Sequence, residues 1–223
     1  MGAQLTSESA YGAGCLVHGL VVLGRTEEAE RVLESHIPRF QQSFGKVPLF
    51  AATLNAERAS VSALRGDSIA RRLGVASAWG IIDVLPDVPL SDRLALGMSF
   101  VDDAWSRSAD SEALKVSLRM SEQMTGTGAP MFSIYAQLYL GIARLRLKDW
   151  VGAEQALRLG IAQLPASHDL NSMLPRLRRP LAEALQNQNR IREADSLRVL
   201  DPPSKAVPPC TPGGDWRGCP DAK

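Results

Sequence analysis

The sequence predicts an all-α fold: an α-solenoid of about five antiparallel helical hairpins, followed by a flexible C-terminal tail. Three observations lead there. A small residue shortly after a turn recurs at Ala29, Ala70, Ala113, Ala153 and Ala194, at intervals of 41, 43, 40 and 41 residues. Between the recurrences, apolar residues follow the three-and-four spacing of a helix face. The composition favours helix over sheet, since only 5% of the 223 residues are aromatic while Ala, Leu and Arg abound.

Each hairpin can be justified in turn. The first spans about 5–43. Its stripe Leu16, Leu20, Leu23 ends at Gly24; Thr26 is placed to cap the next helix, and Glu28 and Glu30 favour that helix's positive end. Gly45 and Pro48 break the chain before a second hairpin over about 48–84. This unit is the most degraded, because Glu57 stands thirteen residues before its anchor where the other units have Leu16, Phe100, Leu140 and Leu181. Pro86 and Pro89 precede a third hairpin at about 90–125, and Gly126 through Pro130 separate it from the fourth, about 130–165. There Ile134, Leu138, Ile142 and Leu145 share a face. Asp149 marks the turn, and Ala153, Ala156, Leu157, Ile161 and Leu164 form a second stripe closed by Pro165. The fifth hairpin covers about 170–200, and Pro175 and Pro180 require its first helix either to start late or to kink. Ten helices result, at about 5–23, 26–43, 48–65, 67–84, 90–107, 110–125, 130–147, 150–164, 170–188 and 190–200. Residues 1–200 thus form a repeat domain. The remainder, 201–223, is rich in Pro and Gly, lacks periodicity, and reads as a flexible tail in which Trp216 either rests loosely or acts as a short recognition segment.

The stretch "YAQLYLGIARLRLKDWVGAEQALRLGIAQLP" resembles a tetratricopeptide repeat through Leu140, Gly141, Ala153, Leu157, Gly160 and Pro165. Gln137 and Arg144 depart from the usual Trp and Tyr. The first unit matches through Leu16, Leu20, Ala29 and Leu33, and the fifth through Leu181, Ala182, Leu185 and Ala194. The spacing near 41 is similar to the long-period variant of that family rather than its usual 34-residue form. The resemblance implies a right-handed superhelix in which Ala29, Ala70, Ala113, Gly141, Ala153 and Ala194 let helices pack closely. It also implies a concave groove lined by the first helix of each hairpin. Counted back from the anchors, the groove positions fall on Tyr11, His18, Asn55, Met98, Asp102, Trp105, Tyr135, Leu138, Arg146, Arg179 and Glu183. The expected partner is a peptide or protein, for which Trp105 and Tyr135 supply rigid apolar area.

Other classes of function are disfavoured. With 25 basic and 24 acidic side chains the formal charge is +1, without the basic excess of a dedicated nucleic-acid binder, so no nucleic-acid partner is expected. No apolar run reaches the roughly 20 residues of a membrane span. Cys15, Cys210 and Cys219 are too few and too scattered for a disulfide framework or zinc site. The N-terminus lacks a basic segment followed by an apolar core, so a cytoplasmic location is expected. His18, His36 and His168 occur singly, and neither a phosphate-binding loop nor a nucleophile elbow appears; the reading is a non-catalytic chain needing no cofactor or metal. Arg176, Arg178, Arg179, Arg190 and Arg192 form the densest charge cluster, open to readings as a solvated helix end, an acidic-peptide site or, least supported because no aromatics interleave for base stacking, a nucleic-acid site. The runner-up function is a sensory or regulatory region of a larger bacterial signalling protein, kept open because helix-forming sequence follows Met1 almost at once.

Overall fold

The computed structural model describes residues 16–44, 48–164 and 173–200, and these residues are all-helical. Helix α1 covers 16–22 within the described part. It is followed by α2 (Thr26–Phe44), α3 (Pro48–Leu64), α4 (Ser68–Asp83), α5 (Leu90–Ser106), α6 (Asp110–Met124), α7 (Pro130–Arg146), α8 (Trp150–Ala162), α9 (Met173–Asn187) and α10 (Ile191–Val199). Most boundaries lie within two residues of those expected from periodicity and breakers. Helix α9 is described from Met173 onward, directly after residues outside the described set, and Pro180 lies inside it. The expected tail, Tyr11, Cys15 and the end of the fourth hairpin at Pro165 fall outside the described residues, as do Cys210, Trp216 and Cys219.

The described residues divide between two compact units, one ending at Asp103 and the other beginning at Ala104. In the first unit α2 packs on α3 and α3 on α4. Val17, Leu20, Ala29, Leu33 and Val61 form one of its apolar clusters. Arg93 of α5 is buried, and its guanidinium donates to the carbonyls of Ile82 and Leu85 at 3.1 and 2.5 Å, so it caps the end of α4. In the second unit α6 packs on α7, α7 on α8, α8 on α9 and α9 on α10, and α7 also touches α9. Its main core joins Ile134 and Leu138 of α7, Leu157 of α8, Met173, Leu177, Leu181 and Leu185 of α9, and Ala194 of α10.

One backbone device recurs through both units. Gly24, Gly66, Ser108, Lys148 and Asn189 all adopt positive φ, between 58° and 76°. After each, the next residue donates its N–H to a carbonyl five residues back: Arg25 to Leu20, Asp67 to Ser62, Ala109 to Ala104, Asp149 to Arg144 and Arg190 to Leu185, at 2.8–3.0 Å. These are five Schellman turns, each closing one helix and aiming the chain into the next. Four residues further on, an N–H bonds back to the carbonyl at the start of the second helix. The residue supplying it is Ala29, Arg71, Ala113, Ala153 or Ala194.

That pattern moves one anchor. Ala29, Ala113, Ala153 and Ala194 are all fully buried, whereas Ala70 is only half-buried, and the equivalent place in the second hairpin belongs to Arg71. Arg71 lies 3.5 Å from the carboxylate of Asp103, itself buried, so an ion pair stands where the other hairpins carry a methyl group. The close approach of α4 to α3 is made instead at Gly74. A Cβ there would lie 2.8 Å from the Asn55 carbonyl oxygen and 3.0 Å from the Ala59 Cβ. With the corrected register, the position twelve residues before the anchor is filled by Val17, Ala59, Val101, Gly141 and Ala182, all buried. One further expectation changes: Thr26 does not cap α2, since its hydroxyl donates to the Gly24 carbonyl, and Arg25 holds the capping position.

Candidate functional site

The densest grouping of expected groove residues lies in the second unit, around the ends of α5 and α7. Trp105 is two residues before the Ccap of α5, where the turn at Ser108 holds its backbone. Its ring stacks on Tyr139 of α7, with centroids 5.4 Å apart and planes 16° from parallel. The guanidinium of Arg146, two turns further along α7, lies 5.8 Å from the Trp105 ring centroid, within cation–π range. Asp110, the first residue of α6, accepts a hydrogen bond from Arg146 Nε at 2.5 Å and so orients that guanidinium. Trp105 Nε1 is buried and has no acceptor, a deficit that ordinarily costs about 1–3 kcal/mol. Trp105 is half-buried overall, and Arg146 is exposed. The result is a stacked aromatic pair with a positive charge held over the Trp105 ring.

Tyr135, one turn before Tyr139, packs half-buried against the α7–α9 core. Leu138 and Met98 are core residues, 7% and 4% exposed, so neither offers a side chain to a partner in this conformation. In the first unit His18 lies 3.8 Å from Glu57, Asn55 donates to the Ser77 hydroxyl at 2.9 Å, and Asp102 is half-buried. The corrected register also makes Ala56, rather than Asn55, the counterpart of Leu138. Arg179 and Glu183 are exposed on α9, and Tyr11 lies outside the described residues. No family model matches the chain, and neither a curated protein nor a solved structure matches it.

Sequence reasoning named Trp105, Tyr135 and Arg146 but missed Tyr139 and Asp110. Tyr139 was legible as the i+4 neighbour of Tyr135, the aromatic spacing that puts two rings on one side of a helix. Asp110 carried no comparable signal, because its pairing depends on how α6 lies against α7.

The arginine cluster does not act as one patch. Arg190, in the turn between α9 and α10, is taken up in a network that ties α8 to α10: it donates to Glu154 of α8 at 2.6 and 2.8 Å and to Glu193 of α10 at 2.7 Å. Arg158 and Gln188 also donate to Glu154. Burial raises the Glu154 pKa, but these hydrogen bonds from Arg158, Arg190 and Gln188 outweigh it and hold the carboxyl below its ordinary value. Arg176, Arg179 and Arg192 remain exposed. A shallow depression bounded by Asn189–Glu193 lies over this network. Among the described residues no three His, Cys, Asp or Glu side chains gather where they could hold a metal ion. No helix there is long and apolar enough to cross a membrane.

Proposed function

We propose that the chain is a non-catalytic protein-interaction module of stacked, tetratricopeptide-like helical hairpins that binds a peptide or protein partner along the faces of its first helices. The observation that carries this reading is the Trp105–Tyr139 stack with Arg146 held over the Trp105 ring. Stacked aromatics present large area at low entropic cost, and a fixed guanidinium adds a directional donor for a carboxylate or backbone carbonyl. The five Schellman turns at near-constant spacing, and the contact of α7 with α9 across α8, support a repeating array in which one hairpin covers the next. The same architecture would serve as the regulatory region of a larger signalling protein.

Affinity capture with the full chain, read by mass spectrometry, tests the proposal. Arg146→Glu and Tyr135→Ala should each weaken recovery of the captured partner at least about tenfold while the helical circular dichroism spectrum stays unchanged. A partner retained at full strength by both variants would place binding on another surface.

A further inference from the structure

The second helix of each hairpin exposes three positions in a row at i, i+4 and i+7. In α2 they hold Glu27, Arg31 and Glu34, in α6 Ser111, Lys115 and the half-buried Leu118, in α8 Val151, Gln155 and Arg158, and in α10 Arg192, Ser196 and Val199. In α4 they hold Ile69, Leu73 and Ala76. Ile69 and Leu73 are 66% and 59% exposed, and the stripe continues through Gly80 to Val84, which is 78% exposed. The other second helices carry at least one charged residue on this face, whereas α4 keeps it apolar along its whole length. An exposed continuous apolar face on a helix marks an interaction surface.

We propose that this face of α4 is a self-association surface, on which α4 of a second copy packs antiparallel about a twofold axis near Ala76. Two features select that occupant. In an antiparallel pair centred there, Leu73 of one copy lies opposite Gly80 of the other. A Cβ at Gly80 would meet nothing within 4 Å, so the helix surface is flat where the leucine must fit. Ile69 likewise meets Val84, and Ala76 meets its own counterpart, so every large side chain faces a complementary site under one operator. The second feature is charge. Arg72, exposed, and Asp83, half-buried, border the same edge of the stripe, near opposite ends of α4. Residues on the same edge face each other when two helices run antiparallel, so Arg72 of each copy approaches Asp83 of the other. A parallel arrangement breaks both correspondences. The helix is 16 residues, about 24 Å, long. One such face is smaller than the roughly 800 Å² per partner of a standard interface, so the dimer is weak and reversible.

Sedimentation equilibrium of the full chain, from about 10 μM to 1 mM at low salt, decides the matter. The apparent mass should rise with concentration from the 24.1 kDa monomer towards twice that value. Leu73→Glu, an exposed substitution, should raise the dissociation constant at least about tenfold without loss of helicity. Arg72→Asp should weaken association, and Arg72→Asp combined with Asp83→Arg should restore it. Ala76→Cys, with Cys15, Cys210 and Cys219 replaced by serine, should form a disulfide dimer on mild oxidation. A chain monomeric at every concentration, a dimer indifferent to Leu73→Glu, or a charge-reversed double variant that stays as weak as Arg72→Asp would each overturn the proposal.

Discussion

Replacing Gly141 with alanine tests whether the fourth hairpin is held by close backbone approach or merely tolerates a glycine. Gly141 lies inside α7 and faces Leu157 of α8, and both are buried. A Cβ at Gly141 would lie 2.5 Å from Leu157 Cγ, 2.7 Å from Cδ2 and 3.2 Å from Cδ1. Alanine in a helix interior is intrinsically better than glycine by about 1 kcal/mol. Forcing a methyl group into a filled core costs about 1–3 kcal/mol. The clash involves the branch point of Leu157 rather than its tip, so the side chain cannot swing clear without moving α8, and the cost falls in the upper part of that range. The net expectation is a loss of about 1–2 kcal/mol for Gly141→Ala. Gly80→Ala on the open face of α4 supplies the intrinsic reference and should gain about 0.5–1 kcal/mol. Leu157→Ala by itself should cost about 2–5 kcal/mol, but in that background Gly141→Ala should be neutral or stabilising by up to about 1 kcal/mol, giving a coupling of about 1–3 kcal/mol. Urea unfolding of the four proteins of this cycle, followed by far-ultraviolet circular dichroism, measures it. If Gly141→Ala stabilises as much as Gly80→Ala, or costs the same with and without Leu157, the packing argument fails.

Further expectations follow from the turns and ion pairs. Lys148 bears positive φ (63°) without being glycine, so Lys148→Gly should raise the thermal midpoint, equivalent to about 0.5–1 kcal/mol, whereas Gly66→Ala at φ 76° should lower it by a similar amount. Truncating Arg71 to alanine removes a cation from beside the buried Asp103. It should destabilise the first unit by about 1–3 kcal/mol, more than alanine at the exposed Arg72, as urea midpoints would reveal. Glu154 has a lowered pKa in the folded chain. Its contribution is therefore present above the ordinary glutamate pKa and is lost as the pH falls through the lowered value. Glu154→Gln should lower stability at pH 7 and flatten the acid limb of the stability–pH curve; an unchanged acid limb would show that the network with Arg190 contributes nothing.

Periodicity and turn residues alone were enough to locate the helices to within a few residues, because amphipathic spacing and Gly/Pro punctuation act locally. Gly24 and Gly66 announced their turns by residue type. Ser108, Lys148 and Asn189 did not, since there the flanking helices impose a conformation that the residues themselves disfavour. The slip from Ala70 to Arg71 has a similar origin. Both are helix formers next to each other, and only the hydrogen bond from the Arg71 N–H to the Asp67 carbonyl shows which one points into the hairpin. Trp105 and Arg146 were legible as candidates, but the stacking of Trp105 on Tyr139 with Arg146 over its ring was not, because it joins two helices more than thirty residues apart in sequence. The same holds for the arginines: a cluster in sequence became one buried-edge network around Glu154 and several separate surface charges. What the chain determines residue by residue is the order, length and amphipathic face of its helices. Which side chains touch, which charges are neutralised and which apolar face is left over on α4 are decided only when those faces pack, since burial and pairing depend on neighbours that no local window contains.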